Sequence, residues 1–144
     1  MTGDGVRIPE SLRTAIEQLH AAIGRAADGD PRAIQALYSH SGDATAFYGW
    51  GGYERGWEAV RDRWNWAAAQ FGGGTVAYQN LTTVVTPEMA YTTDVETFRV
   101  RLAGAGGPLE WSNRVTHIFR LEDGAWRLVH RHANRLEARR QPTA

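Results

Sequence analysis

The first half of the chain has the three- and four-residue hydrophobic spacing that is typical of amphipathic helices. After Pro9, which suits a first helical turn, this spacing is kept by Leu12, Ile16, Leu19 and Ile23. The pattern predicts a helix that ends near Ala27. Asp30 and Pro31 predict the start of a second, short helix, with Asp30 as its cap. A third helix is predicted over 57–70, with Phe71 on its buried stripe and the glycines at 72–74 ending it.

The second half of the chain has the alternating pattern of strands separated by short turns. Long strands are predicted over 75–86, 90–102, 109–121 and 125–132, and residues 44–56 predict a short strand followed by a glycine-rich aromatic loop. Helices followed by an antiparallel sheet define an α+β domain. Strands of this length twist and curl, so we expect three N-terminal helices to pack on a strongly curved sheet and to leave a cone-shaped cavity.

The last two strands form a predicted hairpin, 114–134, that turns at Glu122-Asp123-Gly124 and carries three of the five histidines. Strict alternation puts His117 on one face of the first arm with Asn113, Val115, Phe119 and Leu121. On the second arm it puts one set of side chains on a common face: Trp126, Leu128, His130 and His132. On each arm, the more hydrophobic of the two faces is the one that carries the histidines. A sheet face of this kind is typical of a pocket wall. If a bulge shifts the register, Arg131 enters the pocket instead and favours an anionic ligand.

Composition narrows the possible chemistry. With 42% hydrophobic and 22% charged residues over 144 positions, the chain is expected to be one globular domain. A formal net charge of zero gives no reason to expect nucleic acid or an anionic membrane as a partner. The sequence contains no Lys and no Cys, which excludes Schiff-base chemistry, thiol nucleophiles and cysteine-ligated metals. No apolar segment has the length of a membrane span, and the default expectation is a cytoplasmic protein.

The boundaries follow from the same patterns. Residues 1–7 are small and polar and are predicted to be disordered, residues 8–134 to form the single domain, and residues 135–144 to form a flexible, charged tail.

Three segments carry a resemblance to a known family. They are D-A-T-A-F-Y-G-W at 43–50, G-W-E-A-V at 56–60, and the ending T-H-I-F-R-L-E-D-G-A-W-R-L-V-H-R-H-A. Over residues 8–134 the chain resembles the nuclear transport factor 2-like superfamily, most closely its SnoaL-like and ketosteroid-isomerase-like members. The last hairpin is also similar to the calmodulin-dependent kinase association domain. The resemblance implies a cystatin-like topology, no organic cofactor, and a homodimer through the outer sheet face. It implies no single activity, because the fold hosts isomerases, dehydratases, cyclases and non-catalytic domains.

The chain departs from the ketosteroid isomerases at their catalytic positions. Where those enzymes have an Asp base in the first strand, this chain has Tyr48, which is a poor base near neutral pH. Their acidic oxyanion donor falls near His117, which could donate a hydrogen bond to an enolate or a carbonyl. The steroid-isomerase pair is therefore not reproduced.

Two carboxylates are further catalytic candidates. Asp94 and Glu96 share one face of the strand over 90–102 with Phe98 and Val100. If this face is the concave one, either carboxylate is a candidate base with a pKa raised by burial. Otherwise the two lie on a solvated face with arginine partners.

The remaining candidates are ligand-binding residues of the cavity and of the loop at its mouth: Trp50, Tyr53, Trp64, Trp111, Asn113, Phe119, His130, Arg131 and His132. We expect no metal. The less favoured alternative is a three-histidine site made of His117, His130 and His132, which requires three converging imidazoles.

Two hypotheses follow. The chain is either a cofactor-independent acid–base enzyme (an isomerase, dehydratase or cyclase) that acts on a small apolar carbonyl compound, or a non-catalytic ligand-binding or assembly domain. In the enzyme, Asp94, Glu96 or a histidine would move a proton, and His117 with Tyr48 would hold the developing oxyanion. A cavity that holds a carboxylate within about 3 Å of a histidine or tyrosine would favour the enzyme. A cavity lined only by aromatic side chains and arginine would favour the binding domain.

Overall fold

The computed structural model describes residues 7–104 and 106–143, so almost all of the segment 1–7, predicted to be disordered, lies outside the described residues. The three predicted helices are confirmed as α1 (Glu10–Ala27), α2 (Arg32–Leu37) and α3 (Trp57–Ala69). No helix in the described part of the chain is long and apolar enough to cross a membrane.

The strands form one six-stranded sheet in the order β2-β1-β6-β5-β4-β3. Their bounds are β1 (Thr45–Phe47), β2 (Glu54–Arg55), β3 (Phe71–Val85), β4 (Met89–Leu102), β5 (Leu109–Glu122) and β6 (Ala125–Arg135). The expected α+β fold is confirmed. The sheet is antiparallel as predicted, except that β1 runs parallel to β6.

Strand β3 begins earlier than predicted. The glycines at 72–74 do not simply end α3 but belong to the strand, and Phe71 pairs with Leu102 instead of lying on the helix. Gly74 has a φ of 150°, and a Cβ atom there would lie 2.6 Å from the Cα of Val100. The glycines therefore allow β4 to pass very close to the start of β3, which the helix-stop interpretation did not anticipate.

The β5–β6 hairpin contains the feature that decides which side chains face inward. Its turn is confirmed at Asp123 and Gly124, whose φ angles of 51° and 81° are those of a tight hairpin turn. Further along, Phe119 pairs with Leu128 but Ile118 pairs with His130, so Val129 is an extra, bulged residue.

The bulge overturns the strict alternation that the sequence predicted for β6. Beyond it, Arg131 and Ala133 are buried on the inner face together with Leu128, while His132 is exposed. The expectation that His130 and His132 share the face of Trp126 and Leu128 is therefore wrong.

The helices cover the concave face of the sheet, and the main core lies between them. Its fully buried large side chains include Leu12, Leu19, Ile34, Tyr38, Phe119 and Leu128. Phe119 therefore belongs to the packed core. The remaining part of the concave face carries the polar groups described next.

Candidate functional site

The inner face of β4 is acidic at its centre. Alternate residues of this strand are buried: Ala90, Thr92, Asp94, Glu96, Phe98 and Val100. The face that carries the two carboxylates is therefore the concave one. Asp94 is 1% exposed and Glu96 is 0% exposed, so each carboxylate needs polar partners inside the protein.

Arg131 is the partner of Glu96. Because of the bulge at Val129, the Arg131 side chain reaches inward from β6 and is only 4% exposed. Its Nη1 and Nη2 atoms donate to Oε2 and Oε1 of Glu96 at 2.9 and 2.8 Å, which is a bidentate ion pair. Its backbone N–H donates to the Tyr38 hydroxyl at 3.1 Å.

His117 lies between Arg131 and Asp94. Its Nε2 atom is 2.8 Å from Nη1 of Arg131. Since an arginine can only donate, Nε2 must accept, and the proton of the neutral ring is on Nδ1. Nδ1 faces Oδ2 of Asp94 at 3.7 Å, which is too long for a direct hydrogen bond. Asn80 donates to the other Asp94 oxygen at 2.8 Å, and His20 approaches Oδ2 at 3.9 Å.

Burial and charge pairing set the protonation states of this cluster. Burial lowers the pKa of His117 and outweighs the opposing effect of Asp94, so the ring is neutral at neutral pH. Burial acts to raise the pKa of Glu96, but the charge of Arg131 and its hydrogen bonds hold that pKa below its usual value. Burial likewise opposes ionisation of Asp94, yet His117 and Asn80 keep its pKa low. Both carboxylates are therefore ionised.

A small cavity of about 70 Å³ lies beside this polar cluster and is mostly aromatic. Its aromatic lining consists of Tyr48, Trp50, Trp64, Trp66, Phe71, Phe98 and Trp111. The rings of Phe98 and Trp111 are parallel within 1°, with centroids 5.2 Å apart, and Phe71 stacks on both. A groove of about 340 Å³ adjoins the cavity and shares Trp50 and Trp66 with it. These walls suit a flat, apolar molecule.

Some polar atoms at the cavity lack partners among the described residues. For three buried atoms of lining residues, no hydrogen-bond partner is found among the described residues: the Tyr48 hydroxyl, Nε1 of Trp64 and Nε of Arg131. All three can donate a hydrogen bond. Burial raises the pKa of Tyr48 far above its ordinary value, so its hydroxyl keeps its proton. These donors are buried within residues that line the cavity, so an oxygen acceptor would meet them once the lining moves.

Arg63 ties the glycine-rich loop to α3. Its Nη2 atom donates to the carbonyl oxygens of Trp50 and Gly51 at 3.4 and 3.3 Å. Its guanidinium also lies 3.9 Å from the centre of the Trp66 ring, which is close enough for a cation–π contact. Arg63 thereby holds Trp50 and Trp66 together at the opening of the cavity.

The structure places the predicted site residues in different surroundings. Six of them line the cavity: Tyr48, Trp50, Trp64, Trp111, Asn113 and Arg131. Asp94, Glu96 and His117 form the buried cluster behind Arg131 and do not line the cavity. Tyr53 is 73% exposed and contacts Phe47.

His130 and His132 lie away from the cavity. They pack edge-on against Phe47 at 4.8 and 5.2 Å, and Nδ1 of His130 hydrogen bonds to Thr45. The structure therefore does not bring His117, His130 and His132 together. Within residues 7–104 and 106–143, no group of three or more His, Asp or Glu side chains is placed to hold a metal ion.

Sequence reasoning missed several residues at this site. Phe71, Trp66 and Arg135 line the cavity, and His20 approaches Asp94 from α1. No local pattern marks His20, because its partner is 74 positions away in the chain. Phe98 was identifiable in principle, since alternation places it on the face of Asp94 and Glu96.

Comparisons with known proteins agree with this fold. The profile of the SnoaL-like domain family matches residues 12–134. The chain belongs to this family. A search among curated proteins found no significant match.

Solved structures similar to this SnoaL-like domain are distant in sequence. One is a ketosteroid isomerase-like protein from Erwinia carotovora atroseptica, with a TM-score of 0.76, 15% identity, and coverage of 89% of this chain and 95% of that one. Another is a proposed dehydratase of the nuclear transport factor 2-like family from Streptomyces avermitilis (TM-score 0.75, 18% identity, coverage 90% and 97%). A third is a proposed calcium/calmodulin-dependent protein kinase type II association domain from Thiobacillus denitrificans. Its TM-score is 0.72 and its identity 16%, with coverage of 92% of this chain and 100% of that one. At these identities the likeness establishes the fold alone.

Proposed function

We propose that this SnoaL-like domain binds a small, mostly apolar molecule that has a flat ring and an oxygen acceptor. The observation that carries the proposal is an aromatic cavity whose lining holds three buried donors, on Tyr48, Trp64 and Arg131, without a partner in the part of the chain that the structure describes. An unpartnered buried donor costs about 1–3 kcal/mol, and a ligand oxygen would recover part of that cost. The ring would lie along Phe98 and Trp111, with its oxygen directed at the three donors.

The size of the cavity implies that binding moves the loop. A cavity of about 150 Å³ holds benzene in another protein, whereas this one measures about 70 Å³. A one-ring ligand therefore needs additional space, and the adjoining groove of about 340 Å³ provides it once Trp50 moves away from Trp66. The carbonyl group and the ring face against Phe98 and Trp111 would occupy the enlarged cavity, and the rest of the molecule would extend into the groove.

A ligand screen with a matched pair of variants tests this proposal. Tryptophan fluorescence and thermal shift would be measured against aryl ketones, aryl amides and enones. Tyr48→Phe removes one buried donor and should weaken binding about 3- to 10-fold, in line with one hydrogen bond. Tyr53→Phe removes the same group from an exposed side chain and should leave binding unchanged. Binding that is unaffected by Tyr48→Phe, or a screen with no binding compound, would contradict the proposal.

Acid–base catalysis is the second candidate function. It is supported by Asp94 and His117, whose Oδ2 and Nδ1 atoms face each other at 3.7 Å and have no hydrogen-bond partner in the part of the chain that the structure describes. It is also supported by the names of two similar structures, a ketosteroid isomerase-like protein and a proposed dehydratase. However, neither Asp94 nor Glu96 lines the cavity, so binding is the primary proposal.

Proton exchange separates catalysis from binding. A bound aryl ketone would be incubated in deuterated buffer, and loss of its α-protons would be followed by NMR. If the domain is an acid–base enzyme, the exchange should be faster than in buffer and should be lost in Asp94→Asn while the ketone still binds. Exchange at the buffer rate with wild-type protein would leave binding as the function.

We also propose that the domain forms a homodimer through the outer face of its sheet. That face carries a largely apolar groove of about 220 Å³ whose lining includes Val84, Met89, Tyr91 and Ile118. Light scattering after gel filtration should show a dimer for the wild type and a monomer for Tyr91→Arg. The matched control is Arg61→Gln, which changes an exposed residue of α3. A wild-type monomer at micromolar concentration would contradict the proposal.

A further inference from the structure

One side edge of the Arg131 guanidinium has no partner in residues 7–104 and 106–143. At the end of the guanidinium, Nη1 and Nη2 each donate one hydrogen to Glu96. The second hydrogen of Nη1 is directed at Nε2 of His117. Among the residues that the structure describes, Nε has no partner. The remaining hydrogen of Nη2 lies on the same side of the planar group as the Nε hydrogen. Arg131 lines the cavity, but its Nε atom is itself buried, so a ligand would reach these two parallel N–H groups once the neighbouring side chains move aside.

The charge of this edge is already balanced. Glu96 is fully buried and lies within 2.9 Å of both terminal nitrogens of Arg131. A second buried carboxylate, Asp94, lies on the other side of His117, whose ring is neutral. The cavity wall therefore presents strong donors without a net positive charge behind them. This differs from an isolated buried arginine, which would attract an anion.

Resting on the binding function proposed above, we infer that Glu96 determines the charge of the ligand, so that the free edge of Arg131 accepts a neutral carbonyl oxygen and rejects a carboxylate. A carboxylate at this edge would be a second anion around a single buried cation. Its loss of hydration would not be repaid, because Glu96 already uses the attraction of Arg131. A ketone or amide oxygen loses much less hydration and still receives two N–H donors. The ligand class is therefore neutral aryl carbonyl compounds.

A pair of fluorinated probes of nearly equal shape tests the inference. Binding of 4-fluoroacetophenone and 4-fluorobenzoate would be measured by fluorine NMR at pH 7. The same titrations would be repeated with Arg135→Gln, because Arg135 lines the cavity and is an independent cation. The ketone should bind at least about tenfold more tightly than the carboxylate in both proteins. Between pH 5 and 8 the apparent affinity for the acid should fall about tenfold per pH unit, because only its protonated form would enter.

Removing the charge of Glu96 should change this preference. In Glu96→Gln, Arg131 becomes an unbalanced cation, so affinity for 4-fluorobenzoate should rise at least about tenfold while affinity for the ketone changes less than about threefold. The matched control is Glu110→Gln, which breaks the exposed pair of Glu110 and Arg99 and should change neither affinity. If Glu96→Gln does not fold, the wild-type preference and its pH slope still decide the question.

The failures of the two proposals can be told apart. If neither probe binds the wild type, the binding function and the inference both fail. If 4-fluorobenzoate binds as tightly as the ketone at pH 7 in both wild type and Arg135→Gln, with no pH slope, the cavity binds ligands but the inference about Glu96 is overturned. An unchanged preference in a folded Glu96→Gln variant would overturn it as well.

Discussion

The buried ion pair of Glu96 and Arg131 should be strongly coupled in folding. Two opposite charges about 4 Å apart attract by about 4 kcal/mol at an effective dielectric constant of about 20. Removing one partner leaves the other charge buried and unpaired, which costs about 3–5 kcal/mol. We therefore expect Glu96→Gln and Arg131→Met each to lower the free energy of unfolding by about 3–5 kcal/mol. The double variant should lose about 2–3 kcal/mol less than the sum of the two.

Urea unfolding followed by circular dichroism measures these free energies, and a surface pair provides a matched reference. Arg99 and Glu110 are joined by a contact of the same 2.8 Å length, but their side chains are 69% and 60% exposed. Glu110→Gln and Arg99→Met should each cost less than about 1 kcal/mol and show little coupling. A coupling energy for the buried pair no larger than that of the surface pair would refute the reasoning that Arg131 is held by charge.

Three further predictions concern the backbone, the loop and pH. Gly74→Ala should lower the unfolding midpoint in urea by an amount equivalent to about 2–4 kcal/mol, because its Cβ would collide with the β4 backbone; an unchanged midpoint would contradict the tight approach. Arg63→Met should release the loop and increase acrylamide quenching of tryptophan fluorescence, whereas unchanged quenching would show that Arg63 does not hold Trp50. Lowered pKa values are shared by four groups of the buried cluster: His20, Asp94, Glu96 and His117. Since the unfolded chain binds protons more readily at these groups, the melting temperature should fall from pH 7 to 5 through the histidines, and again below about pH 4 through the carboxylates. His117→Gln should reduce the first decrease, and a melting temperature independent of pH would contradict these protonation states.

The order of elements was accessible from the sequence because each element repeats its own period. The helix α1 shows its apolar residues at helical spacing, and β4 buries every second residue, so both were predicted within one residue of their observed limits. The start of β3 was not predicted, because glycine normally ends helices. At 72–74 the glycines instead allow two strands to approach each other, and that requirement comes from β4, which is distant in the sequence.

The candidate site was predictable where alternation continued without interruption. Asp94 and Glu96 were correctly predicted to share one face of β4, although alternation left open whether that face is the concave one. His117 was correctly predicted to lie on the buried face of β5. The β4–β5 pairing has no register shift that would disturb this alternation. Alternation failed on β6, where the bulge at Val129 exchanges the two faces. A bulge inserts one residue without a distinctive local sequence, so a period-two argument cannot detect it.

The requirement to pair buried charges would have located the bulge where local patterns do not. An inward-facing Glu96 must meet a cation or strong donors, because an unpaired buried carboxylate is too costly. On strict alternation β6 would present His130 and His132 to the inner face, and neutral imidazoles are weaker partners than a bidentate guanidinium. The shifted register presents Arg131 instead, as the structure shows. The burial of Glu96 on β4 therefore requires the shifted register of β6, and that register brings Arg131 to Glu96. The same pairing that stabilises the fold neutralises the charge of Arg131 and leaves its Nε atom without a partner among the described residues.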